Sequence, residues 1–351
     1  MEFLSEYGLF LAKSLTVVIT IGLIAGILAS LGQKGKVQEK GHIEVLSFND
    51  TIATMTDAVA DFVVPADTRK AALKAQKKSH KAEQKAEKKA LKNGLDPAVK
   101  KRVFVLDFHG DIRASAVASL REEITAVLAQ ASSDDEVVVR LESGGGMVPG
   151  YGLAASQLDR IKKKNIPLTI CIDKVAASGG YMMACVADQI LAAPFAVIGS
   201  IGVVAQIPNV HRLLKKHDVD IELMTAGKYK RTLTMLGENT EEGREKFREE
   251  LEDTHELFKT FVGAHRPELD IEAIATGEVW YGAPAIQKGL VDDTKTSDEY
   301  LTDQLDSADI YTLAYTHKKS LPEKLGLALE HSSDRFVMRW VRRLMGPVPL
   351  A

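Results

Sequence analysis

The chain has 351 residues, of which 45% are apolar and 26% charged, the ordinary make-up of a folded protein with room for one large domain or two modest ones. Its net charge of −3 points to no particular partner, and two cysteines exclude a disulfide framework by count alone. Cys171 and Cys185 stand in apolar runs with no metal-ligand spacing, so each is expected to be a small buried hydrophobe.

Residues 9–31 form an almost uninterrupted apolar run whose one charge is Lys13. As a helix rising 1.5 Å per residue it is long enough for a bilayer core of about 30 Å. A cleaved signal peptide needs a basic start, a shorter core and a small-residue cleavage site. Here Glu2 and Glu6 precede the run, and Ala29-Ser30-Leu31-Gly32 is a poor site. The expectation is an uncleaved single-pass anchor over 9–31 behind a flank of residues 1–8. Lys34, Lys36 and Lys40 follow the run, and the positive-inside rule then puts the C-terminal side in the cytoplasm.

Residues 32–98 lack the pattern of a domain. A short juxtamembrane helix is expected within 43–64, followed by a stalk over 68–91 rich in Lys, Ala, Glu and Gln. Such a basic segment suits either a solvated stalk or a surface for anionic lipid. No aromatic residues interleave its lysines, so no nucleic-acid partner is expected.

A globular pattern fills residues 99–320. Val103-Phe104-Val105-Leu106 reads as a buried strand, and 115–131 carries helical periodicity. Strands over 136–141 and 166–172 alternate with helices over 151–164 and from Gly180 to about 187. This spacing predicts an α/β fold of βα units around a largely parallel sheet covered on both faces. The nearly uncharged stretch 190–210 is punctuated by Pro194, Gly199, Gly202 and Pro208, so it is read as core strands and turns, not a second span. A long helix is expected over 241–264 and a turn-rich strand over 277–282. In the tail, 321–351, residues 336–345 alternate apolar side chains with arginines, as an amphipathic helix on a membrane, a partner or the core would.

The chemistry centres on Ser178, on a small-residue turn between a strand and a helix start. There the first backbone N–H groups have no helical partner and favour negative charge, so the Gly179 N–H is a candidate oxyanion donor. Gly144-Gly145-Gly146 follows the second strand, and bare backbone there can approach a substrate carbonyl closely. Two such donors contribute roughly 3–4 kcal/mol each to an oxyanion. The base is less clear from the residues. His109, after the first strand, is one candidate and Lys230 another. A free lysine is charged at neutral pH, and lowering its pKa by about three units costs roughly 4 kcal/mol, which apolar burial can impose.

Taken together, Ala177-Ser178-Gly179-Gly180-Tyr181, Gly199-Ser200-Ile201-Gly202-Val203 and Lys230 resemble the signal peptide peptidase A family of serine–lysine proteases. The anchor, the stalk, Arg140-Leu141-Glu142-Ser143 and residues 282–292 resemble its SohB branch of bacterial inner-membrane proteases. The resemblance implies a ClpP/crotonase-like fold of repeated ββα and βα units. It implies Ser178 as nucleophile, Lys230 as general base, Ser200 bonding the lysine amine, and an oxyanion hole from the N–H groups of Gly145 and Gly179. It further implies a serine endopeptidase that cleaves extended peptides or membrane-protein fragments, needs no metal or cofactor, and assembles as a ring-shaped homo-oligomer in the inner membrane. By resemblance the catalytic domain is periplasmic, against the flanking lysines. Gly144 stands where the family pattern has proline, which leaves this loop less rigid. Two rival readings share the fold: a crotonase-type acyl-CoA enzyme and an inactive membrane scaffold.

Overall fold

The computed structural model describes residues 2–32, 41–65, 67, 68, 78 and 100–316. They fall into two units, one holding residues 1–42 and 316–351, the other residues 43–315. In the first, α1 (Glu2–Gly32) is a single 31-residue helix. Side chains are described over its residues 6–22, all of them exposed. Among the described residues no helix is long and apolar enough to cross a membrane, so the anchor expected over 9–31 is not established by the fold. The amphipathic tail expected over 336–345, and nearly all of the basic stalk, lie outside the described residues.

The second unit begins earlier than the expected residue 99. β1 (His42–Ser47) leads into α2 (Phe48–Val63), whose first turn is capped by the Ser47 hydroxyl accepting from the Asp50 N–H. β1 is the outermost strand of the main sheet. Asn49 fastens this segment at long range: its amide donates to the Leu305 and Ala308 carbonyls, and its oxygen accepts from the Ile310 N–H. Residues 43–63 thus form a sheet-edge strand and a largely exposed helix whose start is tied to β10. An exposed edge strand buries little, and its mixed sequence hides it from periodicity.

The elements then follow the expected alternation: β2 (Lys101–Gly110), α3 (Val117–Leu128), β3 (Glu136–Ser143), α4 (Val148–Lys162), β4 (Leu168–Ile172), β5 (Val175–Ala177), α5 (Gly179–Ala184), β6 (Gln189–Ala192) and β7 (Val197–Gly199). After these come α6 (His211–Lys216), α7 (Glu241–His265), α8 (Ile271–Ile274), β8 (Val279–Tyr281), α9 (Gly282–Gln287), β9 (Asp293–Thr294), α10 (Ser297–Thr302) and β10 (Ala308–Thr316). The main sheet runs β1-β10-β2-β3-β4-β6-β9, with parallel pairing from β10 to β9. Its strands read as continuous apolar runs because both faces are buried. Phe104, Leu106 and Phe108 of β2 face the larger core with α3 and α4, while Val103 and Val105 face a smaller one closed by Leu301 and Phe48.

The sheet forks at β3. Residues 137–140 pair with β4, but Ser143 pairs with Ala176 of β5, which pairs in turn with β7, and β7 runs antiparallel to β8. This mixed second branch carries Ser178 and Ser200 at the ends of neighbouring strands. From the Asn49 bonds, Asn49→Ala is expected to lower stability by about 1–3 kcal/mol in urea denaturation, since it strands two buried carbonyls and one N–H. An unchanged midpoint would mean that the Asn49 bonds do not hold this segment to the sheet.

Candidate active site

β5 ends in two buried alanines, and the chain then turns at Ser178 with φ 53° and ψ −120°. A residue bearing a Cβ is held in such a conformation at a cost of about 1–3 kcal/mol. Two bonds hold it here: the Ser178 N–H donates to the Gly199 carbonyl at 2.7 Å, and the Ser178 carbonyl accepts from the Met182 N–H at 3.0 Å. Ser200 occupies the matching place after β7, also at positive φ (51°), with its N–H donating to the Glu278 carbonyl. Because Ala177 is in register with Gly199, the two serines leave adjacent parallel strands side by side.

The glycine loop closes on this turn from β3. Gly145 has φ +85°, and a Cβ there would lie 2.7 Å from both the Gly179 nitrogen and the Ser178 Cβ. Bare backbone at 145 is therefore a steric requirement of the serine turn. Gly144 has open space around it, so the proline expected from the family pattern is not excluded by crowding. The Gly145 N–H is already engaged, donating to the Ser143 Oγ at 3.1 Å. The Gly179 N–H has no partner among the described residues.

Ser178, Ser200, Gly145 and Gly179 line one cavity of about 830 Å³, together with Ile112, Met147 and Met182. Three residues of α7 complete its wall: Thr254, His255 and Phe258. The His255 Nε2 is buried and has no hydrogen-bond partner among the described residues. Nothing in the sequence singled out His255. Helical periodicity puts 254, 255 and 258 on one face of α7, but not which cavity that face meets.

Neither candidate base from the sequence lines this cavity. His109 is 74% exposed and stands 3.7 Å from Glu142, in a separate polar depression with Asp107, Arg140 and Asp173. Lys230 lies on a long exposed segment between β7 and α7. Its amine makes no hydrogen bond or ion pair among the described residues, while its neighbour Lys228 pairs with Glu242 at 2.7 Å. The same segment leaves several apolar side chains exposed, among them Met224 at 86% and Val204 at 91%, the latter in the lining of the cleft. Cys171 and Cys185 are free and buried, as their apolar runs suggested. Burial pushes both thiols well above the ordinary range, which leaves them inert.

This arrangement has parts that covalent acyl transfer uses: a strained serine turn, an N–H beside it unpaired among the described residues, and a cleft of about 830 Å³. Comparison with known proteins gives the chain's relatives. The sequence pattern described as "Peptidase family S49 N-terminal" matches residues 2–158, and that described as "Peptidase family S49" matches residues 160–310. The "Probable protease SohB" of Haemophilus influenzae is 51% identical over 341 residues, covering 97% of this chain and 96% of the relative. Its namesake in Buchnera aphidicola subsp. Acyrthosiphon pisum is 46% identical over 340 residues, with 97% and 98% covered. A solved structure of the 1510-N membrane-bound stomatin-specific protease with a substrate peptide matches at 14% identity and a TM-score of 0.40, covering 64% of this chain and 96% of that one.

The loop geometry makes a contrast that thermal denaturation can read. Gly144→Ala is expected to change stability by less than about 0.5 kcal/mol, because its new methyl meets nothing. Gly145→Ala is expected to cost about 2 kcal/mol or more, from a positive φ combined with a clash against the serine turn. Equal effects at the two positions would mean that the loop does not press on Ser178.

Proposed function

The chain belongs to peptidase family S49 and is a serine-type peptidase; from that premise we propose that it cleaves extended peptides through an acyl-enzyme formed on Ser178. The observation that carries this reading is the strained Ser178 turn packed against bare glycine backbone inside an 830 Å³ cleft. Ser178 Oγ attacks the scissile carbonyl carbon and gives its proton to the base. The carbonyl oxygen becomes an anion beside the Gly179 N–H; the Gly145 N–H, the second donor expected from the family resemblance, is held by Ser143 Oγ in this structure. Collapse breaks the C–N bond, and the base returns the proton to the leaving amine. Water then takes the same route to hydrolyse the ester. No step draws on a metal or cofactor. We read the forked sheet as the ClpP/crotonase-like arrangement.

Lys230 is the proposed base, with Ser200 orienting its amine. For this, the exposed segment between β7 and α7 has to close over the cleft. Its outward apolar side chains favour cover of that kind, by substrate or by a second copy in a homo-oligomer. A second reading makes His255 the base, favoured by its position in the cleft wall. Peptide hydrolysis by single variants separates the two. Ser178→Ala is expected to abolish turnover, and Lys230→Ala to lower kcat roughly 10³-fold or more. His255→Asn is expected to stay within about tenfold of the parent. The opposite pattern for Lys230 and His255 would install the histidine.

The apolar run over 9–31 supports membrane anchorage, with peptide segments of membrane proteins as natural substrates. Full-length protein is expected to stay in the membrane fraction through alkaline extraction, and protein lacking residues 1–31 to be released. Protease digestion of intact spheroplasts then decides the side: cleavage of the second unit places it in the periplasm, as the family resemblance has it, and protection places it in the cytoplasm, as Lys34, Lys36 and Lys40 have it.

A further inference from the structure

Beneath the glycine loop runs a chain of hydrogen bonds in which every proton has one possible direction. The Tyr151 hydroxyl donates to the Asp111 carbonyl at 2.8 Å, and a carbonyl only accepts, so the phenol proton is committed there. Tyr151 and Ser143 stand 2.5 Å apart, so Ser143 Oγ–H is the donor between them. Ser143 Oγ in turn accepts from the Gly145 N–H at 3.1 Å. The order is therefore Gly145 N–H to Ser143, Ser143 to Tyr151, and Tyr151 to Asp111. Tyr151 is fully buried and Ser143 nearly so, and burial raises the Tyr151 pKa, which keeps its proton in place.

The ring of Tyr151 does a second job. A Cβ at Gly179 would collide with it, and a Cβ at Gly110 would collide with its hydroxyl and with Ser143 Oγ. Glycine at both positions lets Tyr151 press directly beneath the residue that follows the nucleophile. One side chain thus touches the support of both backbone segments that flank Ser178.

We propose that Tyr151 and Ser143 are positioning residues for the oxyanion site: the relay pins the Gly145 backbone where it packs against the Ser178 turn, and the packed ring fixes the Gly179 N–H that meets the oxyanion. The proposal rests on the reading of Ser178 as the acyl-forming nucleophile. With the relay intact, the loop cannot rotate its peptide plane without unpairing the Gly145 N–H, so Gly145 stays packed against the Ser178 turn and the Gly179 N–H stays pre-set. A brace of this kind acts on the tetrahedral state, where the oxyanion exists, and hardly on substrate binding.

Tyr151→Phe keeps the ring and removes the relay's terminal donor, and Ser143→Ala removes its middle link. In the full-length protein each is expected to lower kcat about 10–100-fold while KM stays within about twofold. A peptide aldehyde, which adds to Ser178 and places its oxygen where the oxyanion forms, is expected to lose affinity by the same factor. A merely structural role would lower melting temperature without that match between kcat and aldehyde affinity. The proposal is overturned if folded Tyr151→Phe keeps kcat and aldehyde affinity within twofold of the parent, or if KM alone moves. Should Tyr151→Phe fail to fold, Ser143→Ala decides on the same criteria. If the parent protein itself shows no Ser178-dependent turnover and no aldehyde binding, the reading of Ser178 falls and takes the relay with it. That outcome is distinct from an active parent with indifferent variants.

Discussion

Ser178 occupies a backbone conformation that its own Cβ disfavours, and the bond from its N–H to the Gly199 carbonyl keeps it there. Much of the second unit follows from that one constraint. The carbonyl at 199 is available only because β7 lies parallel to β5 and in register with it. β5 reaches β7 only because β3 releases β4 after residue 140 and takes up β5 at Ser143. The fork in the sheet is thus what places a strained serine above its edge. A strain of about 1–3 kcal/mol persists when the surroundings over-determine the conformation, and here a strand pair, a helix start and a glycine loop all do so.

The same crowding explains the distribution of glycine. Gly145, Gly179 and Gly180 are placed where any Cβ would strike backbone or the Tyr151 ring, whereas Gly144 meets nothing. These four glycines therefore answer to different needs. Further from the site, the start of the sheet is tied by charge. Asp135 accepts from the Arg102 guanidinium and the Ser132 N–H, which hold its carboxyl at about 2 despite the opposing effect of burial. Because that pKa lies below its unfolded value, the tie stabilises the fold above about pH 4 and fades as pH falls toward 2. The sheet that presents Ser178 is fastened by groups that stay charged throughout the neutral range.

How much of this was legible in the sequence depended on burial. β2, β3 and β4 are covered on both faces, so their apolar runs announced them, and the serine and glycine turns followed from where those strands end. β1 escaped notice because an edge strand with one weakly covered face carries no such run, and Asn49 earns its role through carbonyls more than 250 residues away. His255 was invisible for a related reason: a helix face can be read from periodicity, but its partner across the cleft cannot. The relay through Ser143 and Tyr151 links residues eight and forty apart, contacts that only the packing of α4 against the ends of β2 and β3 creates.

The position of Lys230 follows from the same physics. A lysine accepts a proton at neutral pH only where burial disfavours its charge. Lys230 lies on an exposed segment that also turns Val204 and Met224 almost fully to solvent. Leaving such side chains outside is unfavourable by about 25 cal/mol for each Å² of apolar surface, so cover for the segment is favourable in itself. The cover that removes this surface from water also desolvates an amine carried on the same stretch. On the proposed reading of Lys230 as the base, its activation and closure of the cleft are one event. That reading has the open arrangement give Ser178 its geometry without its base, with an extended chain or a second copy completing the site.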